Sequence, residues 1–401
     1  MTPDRKPLAL VVASIAPYPP IGGGEKRTLR LLEAIQRCGA DPYLIVTERP
    51  EDGAEEALRA RGVQLELAPA PRPTPSQRLR QHAMRRPSPY LKGLARRLEA
   101  LVAERRPAFV QFEHTQNAYY YRSVRGLSVV LSLHNVDSEL IGTLAKAQRS
   151  GSLEWLRMHN RWHAMRVTER RGARAANAVL AVSDHDAASF DGIARRMLVV
   201  PNGVDEELFS IDGELPRTNS LLFFGKYDYE PNALGVARFL REVWPLVTTR
   251  HPGVHLRLVG KGLPDWLAAE AASSDRVEVV GVVERIDVEL ARSSAVVVPI
   301  WHGAGTRLKV LESMAAARPI AGTPLGVSGV GFEPGRHGLV AESPSDLAAA
   351  VVTLLEDRDR AGRLAAEARL LAERFRWETV TEPAEQLYRD WVARLSREPA
   401  G

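Results

Sequence analysis

The sequence predicts two doubly wound α/β domains, each with a parallel sheet covered by helices. Three observations support this prediction. Short apolar runs alternate with segments of helical spacing. The same alternation starts again after a polar stretch at about 206–219, and a glycine-rich loop follows a strand in each half, at Gly22–Gly24 and Gly303–Gly305. With 401 residues, the chain is long enough for two or three domains with proper cores.

The first half opens with an apolar strand from Leu8 to Ile15, a turn rich in proline and glycine, and a helix from about Glu25 to Cys38. Gly39 closes that helix, and a second strand follows at Pro42 to Val46. Strand, helix and strand with short links form the unit of a parallel sheet. Further strands are predicted at 109–112, 128–133, 178–182 and 197–200.

The second half repeats this pattern with a strand at 221–225, a helix from Leu234 to Thr249 and a strand at 254–260. The sheet continues at 277–281 and 295–300. In open sheets of this kind, ligands bind beyond the carboxyl ends of the strands, where both glycine loops fall. We therefore expect a central cleft that the two domains face, with one loop from each.

The segment from Trp301 to Glu312 joins a glycine-rich turn to two cations and a carboxylate at the start of a helix. Free NH groups and the positive dipole end of a first helical turn favour a phosphate. Arg307 and Lys309 add positive charge, and Lys309 and Glu312 share one helix face. The segment predicts a phosphate site with a sugar behind it. The alternative is an ordinary strand-to-helix connection with a solvated ion pair.

Composition indicates a globular protein, with 45% hydrophobic and 26% charged residues. The single cysteine, Cys38, excludes an intramolecular disulfide and a cysteine-based zinc site, so a reducing cytoplasmic location is expected. The first apolar run, from Leu8, has only eight residues, which predicts a buried strand and neither a secretory signal nor a spanning helix.

Basic residues concentrate in the segment 72–106, which has ten lysines and arginines against two glutamates. Leucine, alanine and valine recur there at helical spacing, so the predicted helix has an apolar and a cationic face. We consider peripheral contact with an anionic membrane, at its inner face, or with an acidic acceptor. The alternative is a surface helix docked on its own core. Nucleic-acid binding is disfavoured, because 72–86 has no aromatic residue for base stacking.

Five motifs in this order resemble the GT-B glycosyltransferases of family 4, the glycosyl transferases group 1. The resemblance covers nearly the whole chain. The motifs are Pro19 to Gly24, His134 to Glu139, Ala181 to Ser183, Pro201 to Asp205, and Gly305 to Ala315. The resemblance implies a GT-B fold with two Rossmann-like domains. Residues 1–205 would bind the acceptor, with a last helix at about 385–401 packing back on them, and 218–384 would bind the nucleotide sugar.

The resemblance also implies transfer of a sugar from a nucleotide diphosphate donor, such as a UDP or GDP sugar, to a glycan, lipid-linked or small-molecule acceptor. Transfer would retain the anomeric configuration, with no metal and no cofactor. His134 matches the family histidine that touches the donor sugar, and Glu312 matches the glutamate that binds the ribose hydroxyls. Gly23 and Gly24 match the loop that lies against the diphosphate, for which the alternative is a plain turn.

The chain departs from the family pattern at two places. Ala304 stands where the family has its first glutamate, and Pro231-Asn232 stands where many members have Lys-Gly. We therefore expect Arg307 and Lys309, with His134, to be the catalytic side chains, since they would supply the charge that stabilises the leaving diphosphate. The remaining donor contacts are expected at these residues: Lys226, Gly303, Ala304, Gly305 and Thr306. Base contacts are expected at Gly260, Val282 and Val283.

Two alternatives to glycosyl transfer stay open. One keeps the fold but epimerises or hydrolyses a nucleotide sugar, which would need an acid/base set such as Glu113, His114 and Asp137. The other is a non-catalytic partner in a polysaccharide-assembly complex, which the lost first glutamate permits. The sugar, the base, the acceptor and the pathway are not determined by the sequence.

Overall fold

A computed structural model of the chain describes residues 6–68, 92–147, 150–303 and 308–395. The chain divides into two compact units. The N-terminal unit is Met1–Pro201 with Thr381–Gly401, and the C-terminal unit is Asn202–Val380. Among the described residues, no helix is long and apolar enough to cross a membrane.

The N-terminal unit is built on a parallel sheet of seven strands in the order β3-β2-β1-β4-β5-β6-β7. The strands are β1 (Leu8–Ala13), β2 (Asp41–Val46), β3 (Gln64–Leu67), β4 (Phe109–Glu113), β5 (Ser128–Ser132), β6 (Ala178–Ala181) and β7 (Met197–Val199). The helices between them are α1 (Gly23–Arg37), α2 (Ala54–Ala60), α3 (Lys92–Arg105), α4 (Asp137–Ala147), α5 (Leu153–Ala175) and α6 (Asp184–Ala188). A 3-10 helix spans Thr115–Val124.

Alternate residues of β1 belong to two different cores, one on each face of the sheet. Ala9 and Val11 pack with α1, whereas Leu10 and Val12 pack with α3. A strand that is buried on both faces needs a continuous apolar run. For this reason, most strands of the first half could be predicted from the sequence. β3 was not predicted, because it has only four residues, two of which (Gln64 and Glu66) are polar, and all four keep exposed surface.

The C-terminal unit has a second parallel sheet, in the order β10-β9-β8-β11-β12-β13. Its strands are β8 (Ser220–Phe224), β9 (His255–Val259), β10 (Val277–Gly281), β11 (Ala295–Val298), β12 (Ile320–Gly322) and β13 (Leu339–Val340). Its helices are α7 (Glu206–Phe209), α8 (Glu230–Arg238), α9 (Trp244–Arg250), α10 (Asp265–Ala271), α11 (Ile286–Arg292), α12 (Leu308–Ala315), α13 (Pro344–Glu356) and α14 (Arg358–Ala372). A π-helical turn at Phe239–Val243 joins α8 to α9, and a 3-10 turn spans Glu373–Phe375.

Helix α8 begins four residues before its predicted start at Leu234. Pro231 lies in the first turn of the helix, where proline costs no hydrogen bond. This correction matters for the site, because it places Asn232 inside the first helical turn after β8.

The last helix, α15 (Trp377–Leu395), begins in the C-terminal unit and passes into the N-terminal unit at Thr381. Leu387, Tyr388 and Trp391 on this helix belong to the core that also contains the apolar face of α1. The Tyr388 ring stacks on Phe109 of β4 at 5.0 Å between centroids. These contacts fasten α15 to the centre of the N-terminal sheet.

Candidate functional site

Helix α1 begins at the N-terminal glycine loop, directly after the turn that follows β1. Gly23 is the first residue of the helix, and Gly24 lies in its first turn. A Cβ atom at Gly24 would lie 3.0 Å from Nδ1 of His134, closer than side chains normally pack. The missing side chain therefore lets the histidine ring lie directly against the glycine loop.

His134 comes immediately after β5 and Leu133, at the carboxyl end of the sheet. Its side chain is 7% exposed, and its Nε2 lies 2.7 Å from Oε2 of Glu113, a residue with no exposed surface at the end of β4. Among the described residues, Nδ1 of His134 has no hydrogen-bond partner. The structure thus brings together His134 and Gly24, which the sequence predicted separately, and adds Glu113 as their partner.

The ionisation of Glu113 is set by competing effects. Burial favours the neutral acid, but the hydrogen bond and charge of His134, with the charge of buried Arg27, hold the pKa of Glu113 below its usual range. Glu113 is therefore a buried carboxylate that stays ionised at neutral pH.

His114 follows Glu113 and packs its ring against His134, with 3.7 Å between ring centroids. Burial, together with the charge of His134, lowers the pKa of His114 to about 3, so this second histidine is neutral. Its backbone has φ +63° and ψ 148°, a conformation that side chains other than glycine rarely adopt. Strain of this kind persists where the surrounding structure fixes the residue, and here it places two imidazoles in contact, with their planes tilted by 37°.

In the C-terminal unit, Lys309 lies in the first turn of α12. Its ammonium donates to Oδ1 of Asn232 at 2.7 Å and lies 4.1 Å from the centre of the Phe223 ring. The side-chain amide of Asn232 in turn donates to the carbonyl oxygen of Lys226 at 2.6 Å. Asn232 therefore joins the end of β8 to the cation of α12. The sequence marked only the preceding residue, Pro231, as a position where a lysine is usual.

Glu312 lies one turn after Lys309 on the same helix and is 5% exposed. The predicted order of cation and carboxylate along one helix face is therefore present. Gly225, at the end of β8, faces the same lysine, since a Cβ there would lie 3.1 Å from the Lys309 ammonium. The residues between β11 and α12 that would complete this site, namely Ala304, Gly305, Thr306 and Arg307, lie outside the described residues.

Gly303 is described and has φ +117°, and a Cβ there would lie 2.9 Å from both the Pro231 ring and the Tyr229 hydroxyl. Beside it, a cavity of about 520 Å³ is lined in part by Pro231, Trp266, Trp301 and His302. Neither Lys309 nor Glu312 lines this cavity. The cavity therefore does not contain the lysine or the glutamate.

The predicted base-binding residues lie where two further strands end. Gly260 follows β9 with φ +140°, and a Cβ there would overlap the carbonyl oxygen of Gly225. Only glycine allows this close approach of the β8 and β9 turns. Val282 follows β10 with 57% exposure, and Val283 is partly buried against the core. Contact of these residues with a base stays a prediction.

Two family profiles match the chain. The profile described as Glycosyltransferase Family 4 matches residues 21–208, and the profile described as Glycosyl transferases group 1 matches residues 218–357. The chain belongs to the family 4 glycosyltransferases. The resemblance inferred from the five motifs is thereby confirmed.

Solved structures show the same GT-B architecture as this family 4 chain. Sucrose-phosphate synthase from Thermosynechococcus elongatus superimposes with a TM-score of 0.72 at 18% identity, covering 96% of this chain and 100% of the other. Anabaena HepE in complex with UDP gives a TM-score of 0.67 at 16% identity, covering 95% and 99%. With two parallel sheets flanked by helices, these likenesses confirm the predicted two-domain α/β GT-B fold.

Curated relatives match part of the chain. The phosphatidyl-myo-inositol mannosyltransferase of Mycobacterium tuberculosis is 28% identical over 202 residues, which is 47% of this chain and 53% of the relative. The enzyme of the same name from Mycolicibacterium smegmatis is 29% identical over 198 residues, 47% and 50% of the two chains. The family 4 chain spans about half the length of these relatives.

Proposed function

We propose that this protein is a retaining glycosyltransferase that uses a nucleotide diphosphate sugar and transfers the sugar to a glycan, lipid-linked or small-molecule acceptor. The observation that carries the proposal is the Lys309 ammonium, which Asn232 holds at the carboxyl end of the C-terminal sheet, with Glu312 behind it on the same helix. A cation followed by a buried carboxylate suits a diphosphate followed by a ribose.

In the proposed reaction, the bond between the anomeric carbon and the diphosphate oxygen breaks, and a bond to the acceptor oxygen forms. The hydroxyl proton of the acceptor passes to an oxygen of the departing diphosphate, which leaves as an anion. Lys309 would stabilise that anion, and Arg307 is proposed to assist it. His134 would contact the donor sugar, and Gly23 and Gly24 would let the diphosphate approach the backbone of α1.

The donor class follows from the charge and from the relatives. HepE has been crystallised with UDP and with UDP-glucose, and the matched curated relatives are named as mannosyltransferases. UDP-glucose and GDP-mannose are therefore the first donors to test. ADP-glucose is added so that a third nucleotide base is tested. Because Lys309 and Arg307 would supply the positive charge, we propose that no metal is needed.

The first experiment is a thermal-shift screen of these three nucleotide sugars and of UDP and GDP alone. A ligand that binds the folded state raises the melting temperature, and the donor should do so with or without EDTA. The matched variant is Lys309→Ala, which should lose most of the shift. If no nucleotide diphosphate binds even at millimolar concentration, the non-catalytic alternative replaces this proposal.

The second experiment is product analysis of the binding donor with and without a panel of sugar and lipid acceptors. A new glycosidic linkage that appears only with acceptor supports transfer, and its anomeric coupling in the proton NMR spectrum reports retention. Free sugar or an epimerised donor formed without acceptor would instead support the hydrolase or epimerase alternative, which the buried acid/base pair Glu113 and His134 could serve.

Contact with an anionic membrane is a separate proposal. In the predicted basic segment 72–106, residues 72–91 lie outside the described residues. In α3, Leu94, Leu98 and Leu101 are buried in the unit's own core, while Arg96 is exposed and Arg97 pairs with Glu66 at 2.7 Å. The apolar face is therefore occupied, and the contact we propose for this helix is electrostatic, without insertion.

A further inference from the structure

Four buried side chains form a continuous hydrogen-bonded chain in the N-terminal unit. The Tyr388 hydroxyl of α15 donates to the side-chain oxygen of Gln111, and the Gln111 amide nitrogen donates to Glu113. The other oxygen of Glu113 lies 2.7 Å from Nε2 of His134. Tyr388, Gln111 and Glu113 have no exposed surface, and His134 has almost none. This hydrogen-bonded series, which we call the relay, runs from α15 through β4 to the predicted catalytic histidine.

Because Glu113 is ionised, every hydrogen bond of the relay can have only one donor and one acceptor. A carboxylate can only accept hydrogen bonds, so the Gln111 side chain must turn its NH₂ group toward Glu113. Its carbonyl oxygen then faces the Tyr388 hydroxyl, which must donate. For the same reason, Nε2 of His134 must carry a hydrogen. In the neutral ring, Nδ1 therefore carries a lone pair, and this is the atom that lies beside Gly24 without a partner among the described residues.

The surroundings of Glu113 keep it ionised. Arg27 on α1 is 1% exposed, and its guanidinium donates to the carbonyl oxygen of Val200. Its charge acts on Glu113 together with the hydrogen bonds from His134 and Gln111, and the pKa of Glu113 stays low despite complete burial. A neutral acid at this position could donate a hydrogen to either neighbour, and the single direction of the chain would be lost.

We propose that this relay positions His134 for the transfer reaction: Tyr388, Gln111 and Glu113 hold the hydrogen on Nε2, so that Nδ1 is offered as a hydrogen-bond acceptor to a sugar hydroxyl. The inference deepens the proposed function and rests on it for the identity of the ligand. In this arrangement His134 is the residue that touches substrate, and the other three act through it.

The relay also connects sequence positions that no local pattern joins. Gln111 and Tyr388 are 277 residues apart, and Tyr388 is held in place by its stacking on Phe109. A change at the hydroxyl of Tyr388 therefore alters the histidine through three hydrogen bonds without touching the ligand. Such a distant effect separates a relay from simple packing.

The test is nuclear magnetic resonance of the full chain with nitrogen-15 in its histidines, because long-range proton–nitrogen spectra distinguish the two neutral tautomers. The His134→Gln variant assigns the signal. The wild type should show hydrogen on Nε2 of His134. Glu113→Leu should give a mixture of tautomers, and Tyr388→Phe should shift both ring nitrogens of His134 in protein that stays folded. Tyr119→Phe is the matched control, since it removes a hydroxyl bonded to Thr168 at 2.7 Å in the same unit.

Turnover of the identified donor gives a second readout. Tyr388→Phe should lower kcat about threefold and leave KM nearly unchanged, and it should have no further effect in the Glu113→Leu background. If Tyr388→Phe and Glu113→Leu both leave the His134 signals unchanged in folded protein, the relay is wrong, whatever the protein transfers. If the tautomer responds but no sugar is transferred from any donor, the relay stands and the proposed reaction is wrong.

Discussion

The ammonium of Lys309 and the side-chain oxygen of Asn232 lie 2.7 Å apart, although 77 residues separate them in the chain. The direction of this bond is determined at both ends, because an ammonium only donates and the carbonyl of Lys226, on the other side of Asn232, only accepts. Asn232 thereby holds a cation beside Pro231, the position where this sequence lacks the usual lysine. The neighbouring Phe223 ring, whose centre lies 4.1 Å from the ammonium, also attracts the cation.

Lys309→Ala should lower turnover by roughly tenfold or more, because it removes the charge that stabilises the leaving diphosphate. Steady-state kinetics with the donor found in the screen will measure this. Lys146→Ala, an equal change of charge on an exposed residue of the other unit, is the control and should behave as wild type. Wild-type turnover in a folded Lys309→Ala protein would remove Lys309 from the mechanism.

Asn232→Ala should lower kcat/KM about three- to tenfold, because Lys309 keeps its charge but loses an anchor that fixes its position. Asn232→Asp should weaken donor binding further. The new carboxylate still accepts from the ammonium, but it cannot donate to Lys226 and its charge repels the diphosphate. Isothermal titration with the nucleoside diphosphate compares the two variants. Equal affinities of the Asn232→Asp variant and the wild type would show that the diphosphate does not bind beside this residue.

Gly24→Ala should abolish most of the turnover while leaving the protein folded, because the added methyl group would lie 3.0 Å from Nδ1 of His134 and force the ring away from the loop. Gly93→Ala on α3 is the matched control, since a Cβ there meets nothing within 4 Å. Turnover and thermal melting of both variants measure the effect. Full activity of Gly24→Ala would mean that the glycine loop and His134 do not act together.

Glu169→Gln should change how stability depends on pH. Burial raises the pKa of Glu169 from its ordinary value of 4.5 to about 7, so between these values the unfolded chain has released this proton and the folded protein has not. The contribution of protonated Glu169 to the free energy of unfolding is therefore largest below pH 4.5, and it is lost as pH rises to about 7.

In the wild type, Glu169 accepts a hydrogen bond from the backbone NH of Ser138 at 3.0 Å. The glutamine side chain can still accept this bond, but it does not titrate. The free energy of unfolding of both proteins is measured by denaturant titration at several pH values. As pH rises from about 5 to about 7, the value for the variant should increase relative to that of the wild type. Parallel curves for the two proteins would contradict the raised pKa.

Sedimentation with vesicles tests the proposed membrane contact. Binding to vesicles that contain anionic lipid should weaken as salt rises, because exposed charges are screened. Arg96→Glu should weaken it further, since Arg96 is exposed on the cationic face of α3. Binding that is equally strong to neutral vesicles, or that is insensitive to salt, would exclude an electrostatic contact.

Much of the fold could be predicted because the strands are buried on both faces and appear as apolar runs. The elements that were missed are short or lie at a sheet edge, such as β3 and the two-residue β13. Such strands obtain their hydrogen bonds from a neighbour and carry little pattern of their own. The start of α8 was misplaced for a related reason, because Pro231 is compatible with both a turn and a first helical turn.

The sequence by itself determined the alternation of strands and helices in two domains, because this depends on local spacing. Its motifs, by their resemblance to family 4, also identified the family and the candidates His134, Lys309 and Glu312. Only the tertiary structure decided what holds these residues. Glu113, Gln111 and Tyr388 reach His134, and Asn232 reaches Lys309, through hydrogen bonds between elements far apart in the chain. The physical reason is that a buried polar group forms its hydrogen bonds with whichever groups the packed sheets and helices place beside it. The spacing of residues along the chain does not show which groups these will be.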